Sequence, residues 1–231
     1  MNDPKTATYR AIENHFLRYQ ELQQVSVQEN HNPMVSLASE FSGKILIEDP
    51  RMREFTGDDI YVRRTVARML QLANDELQNI WPDCDLEVTY GYRHLDIQTS
   101  EFEAQRKETQ RDFPLLNGVE LDEATHRFVA APEVAGHPTG GAVDLRIRRT
   151  AGDLLEMGTN LGDFSFDTYV FSPFITREAW HHRQILRACM LKAGFAPFDG
   201  EWWHFSFGDR EWARYFNRSQ AVYSQIRFSL F

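Results

Sequence analysis

A chain of 231 residues, 42% of them hydrophobic, is long enough for one sizeable core and short for two independent ones, so residues 1–231 are expected to form a single domain. A formal charge of -9, with no clustered Lys/Arg stretch, argues against nucleic acid or an anionic membrane as a partner. Cys84 and Cys189 stand far apart, so neither a disulfide framework nor a Cys-rich metal site is readable; two reduced, buried thiols are expected.

In chain order, the start carries no continuous apolar run of signal or membrane-spanning length, and the expected compartment is the cytoplasm. Asp3-Pro4 has the form of a helix cap and first helical residue, followed by Tyr9, Ile12, Phe16 and Tyr19 on one helical face. Pro33, Gly43 and Pro50 break that period and leave a loop with a short strand at 44–47. A long helix is predicted from Val62, Val66, Met69, Leu70, Ala73, Leu77, Ile80 and Trp81, stopped by Pro82. Leu86, Val88 and Tyr90 alternate with more polar neighbours as a half-buried strand, and Arg93 sits just beyond its end. Residues 96–131, rich in Glu, Gln, Arg and Lys, read as polar helices covering one side of the domain.

A second strand sends Val143, Leu145 and Ile147 to one face and Ala142, Asp144 and Arg146 to the other. The segment 176–195 is a helix with Ile185, Leu186, Cys189 and Ala193 inward, ended by Gly194. A strand at 201–207 and a short aromatic helix with Trp212, Tyr215 and Phe216 follow. Strands separated by helical segments make an α+β fold, with a central, mainly antiparallel sheet covered by helices.

The chemistry concentrates in two segments. In "GHPTGGAVD" (136–144) the glycines let the backbone fold tightly enough for His137 on a loop and Asp144 on a strand to converge. His204 leaves the apolar side of its own strand and supplies a third donor; two imidazoles and one carboxylate with an open fourth position suit a catalytic Zn²⁺. Glu201 would point away from His204 in an ideal strand, but Gly200 places it in a turn before the strand begins. From there it reaches the site as a general base rather than a ligand.

Taken together, "YGYR" (90–93), "GHPTGGAVDL" (136–145), "MGT" (157–159) and "EWWHF" (201–205) resemble the D-alanyl-D-alanine dipeptidase family of zinc peptidases, within the wider D,D-peptidase and Hedgehog-like fold group. The resemblance is strongest over residues 60–210. It implies one zinc ion held by His137, Asp144 and His204, Glu201 as catalytic base and later proton donor, and Arg93 facing the scissile carbonyl, where its donors stabilise an oxyanion. The sequence departs from the family pattern at His94, where many members have proline, and at Ala135, where serine is common. The acidic residue expected after "MGT" to meet the substrate's amino group is represented by Asp163, displaced by one residue.

Each of these residues also has a plainer reading. A single His is commonly hydrogen-bonded at the surface, a strand Asp caps a turn, an Arg pairs with a carboxylate, and Asp163 caps its own loop. Trp202 and Trp203 read as core and wall. His181 and His182, about a hundred degrees apart on a helix, do not make a metal pair. The implied activity is zinc-dependent hydrolysis of D-alanyl-D-alanine or a similar small D,D-dipeptide. Its rivals are a D,D- or L,D-carboxypeptidase trimming peptidoglycan stem peptides and a non-catalytic, zinc-stabilised binding module; an uncoordinated Glu201 has no use in the latter.

Overall fold

The computed structural model describes residues 4–163 and 165–231. From Pro4 the chain forms α1 (Pro4–Glu13) and α2 (Tyr19–Gln23), then β1 (Met34–Ser36), the single turn α3 (Leu37–Glu40) and β2 (Lys44–Ile45). Another turn, α4 (Arg53–Thr56), and β3 (Tyr61–Arg63) lead into α5 (Arg64–Ile80). After β4 (Cys84–Tyr90) come α6 (Leu95–Asp112) and α7 (Gly118–His126), then β5 (Ala142–Arg149), α8 (Arg177–Ala193), β6 (Ala196–Pro197), β7 (His204–Ser206) and α9 (Arg210–Tyr215).

Two predicted boundaries move. The Tyr9-to-Tyr19 stripe is two helices: Tyr9 anchors on Asp167 and Ser172, whereas Tyr19 opens α2 and donates to Glu133. The expected cap, Asp3, lies outside the described residues. Val62 belongs to β3 and pairs with Val35 of β1, a placement that suits a β-branched residue next to Tyr61. The helix therefore starts two residues later, at Arg64.

Five strands form the main sheet in the order β2-β4-β5-β7-β6, with β2 parallel to β4 and the remaining pairs antiparallel. Leu86 and Val88 pair with Ile147 and Leu145, and Val143 pairs with Phe205. Directly paired residues share a face, so these side chains make one apolar surface, packed in one cluster with Leu70 and Leu77 of α5 and Leu186 and Met190 of α8. In α8 the inward set is as expected, Leu186 and Cys189 buried and Ile185 and Ala193 partly so. Thr176 caps its first turn by accepting from the Ala179 N–H at 3.1 Å, and Gly194 ends it at φ 101°, a left-handed conformation suited to glycine. Leu145 is fully buried in this cluster. Leu145→Ala is expected to lower the unfolding free energy by about 2–5 kcal/mol, measured by urea denaturation.

The other face of the sheet is polar but also covered, so β4 is not half-buried as its alternation suggests. Glu87 is only 4% exposed and is neutralised by Arg146 at 2.7 Å and by Arg148. The register of β4 against β5 shifts between Val88 and Tyr90. A bulge of this kind re-aims the residue that follows it. Tyr90 consequently pairs with Asp144, and Asp144 pairs with His204, so side chains from three strands stand in one row on the polar face, Asp144 and His204 adjacent as expected and Tyr90 beside them.

Candidate metal centre

This row is completed from a loop. His137 opens a short 3-10 turn, Gly140 reverses the chain at φ 73°, and the chain enters β5 two residues later. Gly141 accepts from the Phe207 N–H at 3.0 Å, and a Cβ at Gly141 would collide with the Phe207 carbonyl oxygen. The tight turn therefore needs glycine for backbone freedom and for clearance against β7.

His137 Nδ1 donates to the Gly91 carbonyl oxygen at 2.8 Å, which fixes the proton on Nδ1 and leaves the Nε2 lone pair 3.3 Å from Asp144 Oδ2. On the other side, His204 Nδ1 lies 3.0 Å from Asp144 Oδ1, and His204 Nε2 faces Glu211 Oε2 at 3.7 Å. One donor atom from each of His137, Asp144 and His204 lies within 4.8 Å of the others. An imidazole lone pair turned toward a carboxylate is unfavourable unless a proton or a cation stands between them. Two imidazoles and a carboxylate, each imidazole backed by an outer oxygen, form a donor set that zinc takes.

The electrostatics follow from enclosure. Burial alone raises the Asp144 carboxyl, but the charge and hydrogen bonds of His137 and His204 outweigh it and hold Asp144 well below the usual carboxylate range. Burial lowers His137. Burial also opposes charge on His204, yet Asp144 and Glu211 lift it well above the ordinary histidine value.

Glu201 sits in the turn that precedes β7, as its Gly200 neighbour predicts, with its N–H on the Phe198 carbonyl at 3.0 Å and its own carbonyl accepting from the His204 N–H at 3.1 Å. Burial pushes its carboxyl up to about 7, with His204 opposing that shift and Asp144 adding to it. Arg93 reaches the same cavity. Its guanidinium stacks 4.4 Å from the Tyr90 ring centroid, and Nη1 donates to Gln98 at 3.0 Å and pairs with Glu101 at 3.0 Å. Glu101 also pairs with Arg51, Arg51 with Asp49, and Asp49 accepts from the Tyr90 hydroxyl at 2.8 Å. This circuit holds Arg93 through Nη1 and the face of its guanidinium, while Nε is buried without a partner among the described residues. A guanidinium fixed in this way brings its charge to the cavity without further ordering cost.

The cavity has a volume of about 510 Å³ and is walled by β4, β5 and β7 residues on one side and by α6 and α7 on the other. Five of the six residues singled out from sequence line it: Arg93, His137, Asp144, Glu201 and His204. The sixth, Asp163, is not brought there. Gly162 turns the chain at φ 80°, and the Asp163 carboxylate accepts from the Asn160 N–H at 2.9 Å, so this acid closes its own loop. Trp202 and Trp203 are buried as expected. His182 is bound to the Glu156 carbonyl oxygen at 2.7 Å. Cys84 and Cys189 are free and buried.

Sequence reasoning missed Glu211, an acid in the first turn of a short helix with nothing in the sequence to set it apart, and Tyr90, whose alternation points it to the wrong face. The circuit of Asp49, Arg51 and Glu101 was also unmarked. An Asp-x-Arg pair carries no pattern that separates it from an ordinary surface ion pair.

Residues 84–222 match the D-ala-D-ala dipeptidase family of peptidases. The chain belongs to that family. It is a metallopeptidase by that membership, and the matched D-ala-D-ala dipeptidase segment contains Arg93, His137, Asp144, Glu201, His204 and Glu211, while Asp49 and Arg51 lie upstream of it. The chain is 26% identical over 199 residues to the D-alanyl-D-alanine dipeptidase of Synechocystis sp., spanning 76% of this chain and 81% of that protein. It is 32% identical over 71 residues to the D-alanyl-D-alanine dipeptidase of Escherichia coli (strain K12), spanning 31% of this chain and 37% of that one. A solved structure of the LD-carboxypeptidase LdcB is similar with a TM-score of 0.46 and 19% identity, covering 80% of this chain and 73% of that chain.

Proposed function

We propose that the protein is a zinc-dependent dipeptidase that hydrolyses D-alanyl-D-alanine or a similar small D,D-dipeptide, with one ion held by His137, Asp144 and His204. The reading is carried by three donor atoms within 4.8 Å in the cavity that also holds Glu201 and Arg93. Zinc bound to three protein donors keeps a position for water or substrate, polarises a carbonyl and lowers the pKa of water toward neutrality.

The protein's own residues divide the remaining work. Glu201, with a carboxyl poised at about 7, takes a proton from the attacking water and returns it to the departing amine, which needs a group able to do both near neutral pH. Arg93, which lines the same cavity, places a permanent guanidinium charge beside the scissile carbonyl, where negative charge develops as water adds. Glu211, 3.7 Å from His204 Nε2, favours a proton on that nitrogen and so keeps Nδ1 directed at the ion.

The lining favours a substrate with a free amino terminus. Of the acids facing the cavity, Glu101 is paired with Arg51 and Arg93 and Asp144 belongs to the ion site, which leaves Glu108 and Glu211 as the negative charges that attract an ammonium group. We read residues 1–231 as one domain, since the main apolar cluster draws from Val35 through to Tyr223. Two unpaired buried thiols suit a reducing compartment, the cytoplasm. Among the described residues no helix is long and apolar enough to cross a membrane.

Release of D-alanine from D-Ala-D-Ala and from its N-acetyl form tests the reading. The free dipeptide is expected to be cleaved at least about tenfold more efficiently, the worth of one lost charge-assisted contact. Equal cleavage of the blocked form would instead assign the site to a carboxypeptidase, and cleavage of neither would remove the peptidase assignment.

A further inference from the structure

The acidic cavity that suits an ammonium group poses the opposite problem for the other end of a dipeptide. Its terminal carboxylate must find N–H donors among these carboxylates. Arg93 is committed near the metal centre: its backbone N–H bonds the His137 carbonyl at 3.3 Å, and the Tyr90 ring it stacks on packs edge-on to the His137 ring at 5.3 Å. That position serves the scissile carbonyl, and a second donor is needed elsewhere on the wall.

His126, the last residue of α7, lines the same cavity. Its Nδ1 accepts from the Ala131 N–H at 3.0 Å. An accepting Nδ1 carries no proton, so the ring is neutral and the proton sits on Nε2. Burial lowers its pKa, outweighing the opposing charges of Glu211, Glu123 and Glu133. The Tyr19 ring packs against it with centroids 5.7 Å apart, and Nε2–H has no hydrogen-bond partner among the described residues. A donor whose tautomer is fixed by the backbone, held by packing and left unused at a cavity wall, is organised for a ligand acceptor.

We propose that His126 is a substrate-binding residue whose Nε2–H donates to the terminal carboxylate of the bound dipeptide. This inference rests on the dipeptidase reading above. It also separates from a purely structural role, because the two nitrogens of His126 do different work. Asparagine presents an oxygen near the position of Nδ1 and preserves the bond from Ala131 while removing the donor. Glutamine extends an N–H₂ toward the position of Nε2 and gives up the bond from Ala131.

The experiment uses the full-length, zinc-loaded protein with D-Ala-D-Ala and its C-terminal amide, following D-alanine release. His126→Asn is expected to raise KM for D-Ala-D-Ala about tenfold or more with kcat nearly unchanged, the cost of a lost hydrogen bond to a charged group. The same variant is expected to lose most of the wild-type preference for the free acid over the amide. His126→Gln is expected to recover KM while lowering Tm. The reverse order, with asparagine behaving as wild type and glutamine impaired, would overturn the assignment and leave His126 as a tie for the turn at Ala131. A wild-type protein that releases no D-alanine would overturn the dipeptidase reading itself, and the inference with it.

Discussion

Glu201→Ala is expected to retain its zinc and lose about a thousandfold in kcat, within the range by which a positioned acid or base accelerates proton transfer. The metal content should not change, because the three donor atoms within 4.8 Å come from His137, Asp144 and His204 and not from Glu201. The same variant is expected to melt no lower than wild type. Burial pushes the Glu201 carboxyl up to about 7, and the neighbouring charges of Asp144 and Glu211 add to that cost. Its side chain has no hydrogen-bond or ion-pair partner among the described residues that the truncation would orphan. A group that is costly to fold and indispensable to turnover is what a stability–activity trade-off at a catalytic site looks like. Elemental analysis, calorimetric Tm and D-alanine release on one preparation read all three quantities. A kcat within tenfold of wild type would remove Glu201 from the chemistry.

The residues of this site were legible where residue type and backbone punctuation agreed. His137 and Asp144 flank a glycine-rich turn, and both are donors that carry meaning only if the turn brings them together. Glu201 follows a glycine and so precedes the strand, which is how the structure places it. The α+β class and the apolar faces of β5 and α8 were equally readable, since periods of two and of three to four residues run unbroken through them. Legibility failed where a single backbone event redirected a continuous pattern. The alternation of Leu86, Val88 and Tyr90 gives no hint of the register shift at Thr89 that turns Tyr90 to the polar face. No glycine or proline marks the end of α1 at Glu13, so its stripe ran on into Tyr19. Asp163 sits within reach in sequence, but Gly162 and the Asn160 N–H turn it back on its own loop. Glu211 and His126 were invisible for a different reason. Their roles depend on what stands opposite one atom, Nε2 of His204 for the first and the Ala131 N–H for the second, and no local pattern encodes that.

The second large effect concerns the metal itself. His204→Ala is expected to bring zinc per chain from about one to near zero after dialysis and to abolish turnover. Outer partners of metal ligands are worth roughly 10–100-fold in affinity, so loss of a ligand should cost more than about a hundredfold. Truncation leaves the backbone of β7 able to keep its pairing, since Asp144 meets position 204 through main-chain register and Phe205 stays packed against Val143. The variant should therefore fold, with a far-UV spectrum like that of wild type. Its signature is a lost response: adding zinc raises Tm for any protein whose native state alone binds the ion, and wild type should show that rise while His204→Ala does not. The comparison also separates His204 from Glu201, because one substitution empties the site and the other leaves it loaded but idle. Equal zinc stoichiometry and an equal zinc-dependent rise in Tm in the two proteins would mean that the imidazole beside Asp144 is an ordinary hydrogen-bond partner, and that the row across β4, β5 and β7 does not hold the ion.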